Sequence, residues 1–259
     1  MAEESLTAKS QSNSYFTFKT VASGRDPFNE TRIFALRYQV YCLECGFLAH
    51  ENYPHKLEQD EYDAFSTHVA AYSQNDIMVG SLRLVTPPEG MPFPFQVHCK
   101  NLFADKTYPP NRKCTEISRL VISKLYRRRA GDTLYGVPAQ LMADPADPNA
   151  PHQNSYDRRK ARREGSERRR LQPEILLGIL RQVYRHCKLN GIEYWFMALE
   201  KPLARLLSRL FFFSLEPIGE QVDYYGPVTP YILSMAHFDY SLSRGDPILF
   251  SWFMLALDE

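Results

Sequence analysis

Three charged side chains interrupt segments that otherwise read as apolar strands, and this narrows the folds open to the chain. Arg83 sits inside Ser81-Leu82-Arg83-Leu84-Val85, and Glu116 and Arg119 sit inside Thr115-Glu116-Ile117-Ser118-Arg119-Leu120-Val121. A charge in a sheet strand is costly to bury unless an opposite charge meets it. The fold therefore has to deliver partners, and Asp60 and Asp63 in the polar stretch from Leu48 to Ser66, with Glu116 itself, are the obvious ones for the arginines. Glu116 is expected to find a cation in the same way. Strict alternation puts Glu116 and Arg119 on opposite faces of one strand, so both can serve one site only if the strand bulges near Ser118.

The remaining pattern supplies a frame for these strands. Ile33, Phe34, Leu36, Val40, Tyr41 and Leu43 recur at helical spacing between Asn29 and Gly46, with Arg37, Tyr41 and Glu44 on one stripe. His68–Tyr72 and Ile77–Val85 read as a hairpin, the proline-rich stretch from Pro87 to Pro110 as irregular, and Thr115–Ser123 as a third strand. Pro173 and Pro202 each open a helix at a tolerated first-turn position. Between those helices Tyr194–Leu199 is apolar enough for a buried central strand. Tyr231–Met235 and Ile248–Leu257 read as further strands. This order predicts an α/β fold, a mixed sheet with helices packed on both faces.

With 259 residues the chain is long for one domain, and its formal net charge of +1 argues against a dedicated nucleic-acid binder. The near-zero total is a sum of unlike parts. Tyr126–Arg170 holds 11 basic and 6 acidic residues, a balance of +5, while the rest of the chain carries 20 − 24 = −4. The expected organisation is a frayed stretch over 1–14 and one domain over 15–259, with a basic, proline-interrupted mobile insertion at about 127–170. No stretch is apolar enough to span a bilayer, and the amino terminus has no secretory signal pattern. Five cysteines, an odd number, fit reduced thiols and a cytoplasmic protein.

Gly-rich nucleotide loops, the esterase elbow and the zinc-protease motif are all absent from the sequence. Cys42-x2-Cys45-x4-His50-x4-His55 has zinc-knuckle spacing, but both cysteines fall on the amphipathic helix and are read as small core residues, so no metal is expected. The charged cluster of Arg37, Asp60, Asp63, His68, Arg83, Glu116 and Arg119 is the densest constellation left. Taken alone it reads either as a scaffold of ion pairs or as a site.

The motifs of that cluster carry a resemblance. Arg37-x-x-Val40-Tyr41-x-x-Glu44-x-Gly46-Phe47, Asp60-Glu61-Tyr62-Asp63-x-x-Ser66-x-His68, Val79-Gly80-Ser81-Leu82-Arg83-Leu84-Val85 and Glu116-Ile117-Ser118-Arg119-Leu120 occur in this order. Together with Gly191-Ile192-Glu193-Tyr194-Trp195 and Ile218-Gly219-x-x-Val222-Asp223-Tyr224-Tyr225-Gly226-Pro227-x-x-Pro230-Tyr231, the chain resembles the acyltransferases of PEP-CTERM/exosortase systems. Those are relatives of acyl-homoserine-lactone autoinducer synthases and of N-acyl amino acid synthases. The resemblance implies a GNAT-type fold whose mixed sheet is splayed between two parallel strands. It implies transfer of a fatty acyl group from acyl carrier protein, or acyl-CoA, to an amino group, with the thioester as co-substrate and no other cofactor. An autoinducer-type tryptophan after the first helix is missing, Phe47 being the nearest aromatic, which counts against lactone formation.

Thioester aminolysis gives that cluster a use, because an ammonium attacks only after a base takes its proton. Glu116 is the expected base. Asp63 and Arg119 are assigned to the catalytic group, and Arg37, Asp60, His68, Arg83 and Ser118 to substrate binding, with Arg119 suited to gripping a substrate carboxylate. Phe47, Trp195 and Met197 are expected to line an acyl pocket. Arg158, Arg159, Arg162 and Arg163 of the basic island are expected to dock acidic carrier protein by complementary charge. Anionic membrane surface, nucleic acid and a plain solvated loop are rival readings of the same charges. A non-catalytic acyl-ligand binding protein on this fold is the alternative to an enzyme, and an acyl-homoserine-lactone-type signal synthase is the alternative among enzymes.

Overall fold

A computed structural model describes residues 15–126 and 174–258. The expectations for 1–14 and for the basic insertion, including its four docking arginines, lie outside the described residues. In chain order the elements are β1 (Phe16–Ala22), α1 (Pro27–Tyr38), β2 (Ser66–Ser73), β3 (Met78–Val85), α2 (Pro94–His98) and β4 (Cys114–Ile122). There follow α3 (Glu174–Leu189), β5 (Tyr194–Glu200), α4 (Lys201–Phe211), β6 (Glu216–Pro217), β7 (Val222–Asp223), β8 (Pro227–Ser234), α5 (Met235–Gly245) and α6 (Pro247–Met254). The strands form one sheet in the order β1-β2-β3-β4-β5-β8-β6, with β7 also paired to β8.

Every neighbouring pair is antiparallel except β4 and β5. That parallel pair is ladder-bonded only from Cys114↔Tyr194 to Ile117↔Met197. Beyond it β4 continues to Ile122 and β5 to Glu200 without pairing, so the sheet opens between them. This is the expected splay, and the gap is the feature that positions the site.

Helices cover both faces. The larger apolar core packs α3 to α6 against Val69, Leu82, Leu84, Ile117 and Met197. On the opposite face, α1 covers Ala70, Tyr72 and Val121, and the α2 region packs Phe93 and Phe95 on Phe196. Asp26 caps α1 by accepting from Asn29 N at 3.1 Å, and Pro27 fills its first turn. After Tyr38 the helix widens into one π-helical turn, Gln39–Glu44. The amphipathic helix expected over 29–46 is therefore two geometries in series, and such a widened turn often marks a functional position.

Three expectations are corrected. Ile248–Leu257 is not a strand: Asp246 accepts from Leu249 N at 2.9 Å and Pro247 occupies the first turn of α6. A continuous apolar run shows no period that separates strand from helix. The stretch from Pro87 to Pro110 contains one short helix, α2, again started by a first-turn proline, Pro94. The sequence reading places no element at Phe16–Ala22, which pairs along the whole of β2 as an edge strand.

Candidate active site

Partners for the buried arginines come from a loop. Arg37, which is fully buried, donates Nε to Glu58 Oε2 and grips Asp63 with Nη1 and Nη2 at 2.7 and 3.2 Å. Arg83 places Nη1 2.6 Å from Asp60 Oδ1 and 3.0 Å from Asp63 Oδ1, and its Nε donates to Ser118 Oγ at 3.1 Å. Arg119 donates Nε to Glu58 Oε1 at 3.1 Å and Nη2 to Asp60 Oδ2 at 2.9 Å. Three guanidiniums thus meet three carboxylates in one network, which satisfies the requirement read from the sequence. Burial pushes the Asp63 carboxyl up, but the Arg37 and Arg83 charges beside it outweigh this and hold it well below the usual range.

His68 lies behind this network. Its Nε2 is 3.8 Å from Asp63 Oδ1, and neither ring nitrogen has a hydrogen-bond partner among the described residues. Burial, with Arg37 adding to it, pushes its pKa down to about 4, so the ring is neutral at pH 7.

Glu116 stands apart from the network. The expected cationic partner is not there: its Oε2 accepts from Phe95 N at 2.9 Å. Burial pushes its pKa up to about 7, even though the Phe95 amide and the Arg83 and Arg119 charges pull the other way. A carboxyl poised near neutrality is suited to move a proton.

The bulge required by the parity argument exists. Arg83 pairs with Ser118 and Ser81 with Val121, so β4 spends three residues where β3 spends two. Arg119 takes the strain with φ of +52°, a left-handed conformation that is uncommon for a non-glycine residue. The extra residue returns Arg119 to the face of Glu116 and Ser118, as its pairing with Glu58 and Asp60 shows.

Where β4 and β5 part, a cleft of about 1120 Å³, its open mouth included, passes through the sheet. Its polar end holds Arg83, Glu116, Ser118, Arg119, Tyr224 and Tyr225, and its apolar wall holds Leu176, Leu180, Met197, Leu203, Leu207 and Phe213. Phe47 also lines it. Of the assigned residues, Glu116, Arg119, Arg83, Ser118, Phe47 and Met197 meet at this cleft. Arg37, Asp60, Asp63 and His68 do not line it: Asp60 and Asp63, with Glu58, hold Arg83 and Arg119, Arg37 holds Glu58 and Asp63, and His68 makes no hydrogen bond to them. Trp195 is corrected from the acyl pocket to the core: it is fully buried, its ring 5.7 Å from Phe213 and 6.0 Å from Phe238, and its Nε1 donates to Cys187 Sγ at 3.2 Å. It shares a strand face with Met197 but lies where the sheet is still closed.

Several lining or supporting residues have no counterpart in the assignment. Glu58 is 1% exposed and bridges two arginines, yet it sits in a stretch with no periodicity to mark it. Tyr224 and Tyr225 belong to the turn between β7 and β8, where Arg119 lies 5.3 Å from the Tyr225 ring centre and Tyr224 stacks on His98 at 4.1 Å. The tyrosine pair was visible as part of a motif, without a signal for its place. Tyr41, carried into the cleft by the π-helical turn, donates its hydroxyl to Leu120 O at 3.3 Å, against the bulge. Cys42 lies on that same turn and Cys45 caps its end, and no three candidate metal-ligating side chains come together among the described residues.

Residues 36–136 match the acetyltransferase (GNAT) domain. No curated protein sequence matches the chain significantly. Among solved structures, TofI in a ternary complex with an inhibitor and MTA is similar over 90% of this chain and 99% of its own, at 16% identity and a TM-score of 0.57. The CoA-dependent acyl-homoserine lactone synthase BjaI, solved with SAM and isopentyl-CoA, is similar over 93% of this chain and 99% of its own, at 16% identity and a TM-score of 0.55. The AHL synthase LasI gives 13% identity and a TM-score of 0.54 over 86% of this chain and 91% of its own. At these identities the likeness is one of fold, and nothing in it bears on an exosortase association. The splay of the sheet and the domain match agree: residues 36–136 match the acetyltransferase (GNAT) domain, and the chain has the fold of the acyl-homoserine lactone synthases.

Proposed function

We propose that the protein transfers a fatty acyl group from the thioester of acyl carrier protein or coenzyme A to the amino group of an amino acid or similar small amine. The observation that carries this reading is the cleft itself, apolar along one wall and ending at a buried carboxyl with a pKa of about 7. An acyl chain gains about 0.8 kcal/mol for each methylene moved from water to such a wall. Glu116 takes one proton from the acceptor's ammonium. The neutral nitrogen attacks the thioester carbonyl and the N–C bond forms. As the tetrahedral adduct collapses the C–S bond breaks, and the nitrogen's second proton ends on the departing sulfur. Charge on the carbonyl oxygen in between calls for donors. Arg119 and Leu120, which have no partner in the β3 register and lie beyond the end of β5 pairing, offer backbone N–H groups for it.

Acyl carrier protein as donor rests on the basic island with Arg158, Arg159, Arg162 and Arg163, and a cytoplasmic location on the free state of all five cysteines. None of the helices described is long and apolar enough to cross a membrane. The test is incubation of the protein with palmitoyl carrier protein or palmitoyl-CoA and pooled amino acids, read by mass spectrometry. N-acyl products that depend on Glu116 are expected. Their absence with both donors, from protein that is folded, would favour the non-catalytic binding protein instead.

A further inference from the structure

Four charged side chains line the cleft among the described residues: Arg83, Glu116, Arg119 and Glu200. The two arginines are already balanced, because Arg37, Arg83 and Arg119 share Glu58, Asp60 and Asp63, three charges against three. What remains facing the cleft is a pair of carboxyls, Glu116 and Glu200. Glu200 ends β5 and begins α4, yet its side chain makes no capping bond, and it has no hydrogen bond or ion pair with any described residue. It is partly buried, and that burial pushes its carboxyl above the usual range. A carboxylate facing a cleft without a partner is costly to desolvate when the cleft is filled, unless the ligand brings the partner.

Position along the strand says which ligand that is. Phe196 is the register partner of Glu116, and Glu200 follows it by four residues, so strand alternation returns it to the same face. The displacement along β5 is roughly 13 Å from the register point, shortened by the reach of both side chains. We infer that Glu200 is a second cation subsite and that the acceptor is a diamine, one nitrogen presented to Glu116 for acylation and the other held by Glu200. This rests on the acyltransferase reading for the role of the first nitrogen, but not for the binding of the second.

The probes are 1,5-diaminopentane and 1-aminopentane, which differ only in the distal ammonium. Calorimetric titration of the full chain is expected to show the diamine bound roughly tenfold more tightly than the monoamine, the worth of one charge-assisted hydrogen bond. In Glu200→Gln that ratio falls to about one, and in Glu200→Lys the monoamine is preferred. Thermal unfolding of each variant confirms that it is folded. Equal affinities in the unaltered protein, or a ratio that survives both substitutions, would overturn the proposal. The same amines supplied with palmitoyl-CoA or palmitoyl carrier protein separate the two ideas. A diamine preference in binding with no acylated product sinks the acyltransferase reading and leaves Glu200 as the subsite. Acylation of both amines at equal rates does the reverse.

Discussion

Replacing Glu116 by Gln is expected to lower kcat by about a hundredfold to ten-thousandfold, the usual contribution of a positioned general base. It should also remove one limb of the pH profile. Because burial raises the Glu116 pKa to about 7, the base form accumulates as pH rises, and kcat/KM of the unaltered protein should climb through about pH 7 and then level. The variant should show no such limb. Stability moves the other way. A carboxyl whose folded pKa lies above its ordinary value of 4.5 contributes stability below about pH 4.5, and that contribution is lost as pH rises through about 7. Glu116→Gln escapes this loss, so at pH 8 it should melt no lower than the unaltered protein, and higher if the amide keeps the hydrogen bond from Phe95 N. A variant that lost activity and stability together would instead place Glu116 in the scaffold.

Asp63→Ala is expected to have the largest effect on folding. Asp63 accepts from both terminal nitrogens of Arg37, from Arg83 and from the backbone N–H of Asp60. Removing it leaves three arginines with two carboxylates in a buried network, a loss of about 3–5 kcal/mol. For a domain of this size that lowers Tm by on the order of 10 °C. The double variant Arg37→Leu with Asp63→Ala restores the balance, Arg83 and Arg119 against Glu58 and Asp60, and should lose less than the two single variants added together. A carboxyl held below its ordinary range contributes stability above pH 3.8, and that contribution is lost as pH falls further towards its folded pKa. Asp63→Ala should therefore flatten the acid side of the stability curve, and an acid limb as steep as in the unaltered protein would contradict this role. Activity should also fall, because Arg83 and Arg119 line the cleft and the Asp63 layer fixes them.

Much of this site is legible along the chain because the constraints on it are local. Parity alone required a bulge if Glu116 and Arg119 were to share a face, and the pairing of Arg83 with Ser118 and Ser81 with Val121 supplies it. Charges inside apolar strands required partners, and Asp60 and Asp63 provide them. What escaped depended on the third dimension. Trp195 and Met197 have the same parity on the same strand, and only the point where β4 and β5 part, between Ile117 and Ser118, separates a core residue from a cleft residue. Nothing in either strand's own sequence marks that point. Glu58 lies in an irregular loop where no period distinguishes a buried carboxylate from a solvated one. Glu116 has the composition of an ion-pair partner, and its lack of one follows from the approach of the α2 backbone at Phe95. The helical state of Ile248–Leu257 turned on Asp246 and Pro247 just upstream, since the apolar run itself is compatible with either period.

The central claim is that the acyl chain occupies the opening between β4 and β5. A fatty acyl thioester carrying a diazirine near its methyl end tests this directly, by photolysis with the protein and peptide mapping of the adduct. The claim predicts label on α3 at Leu176 and Leu180, and on the β5–α4 segment between Met197 and Leu207, competed away by unlabelled thioester. Label concentrated on the exposed apolar side chains of the C-terminal helices, such as Ile248, with those two segments unmarked, would contradict it.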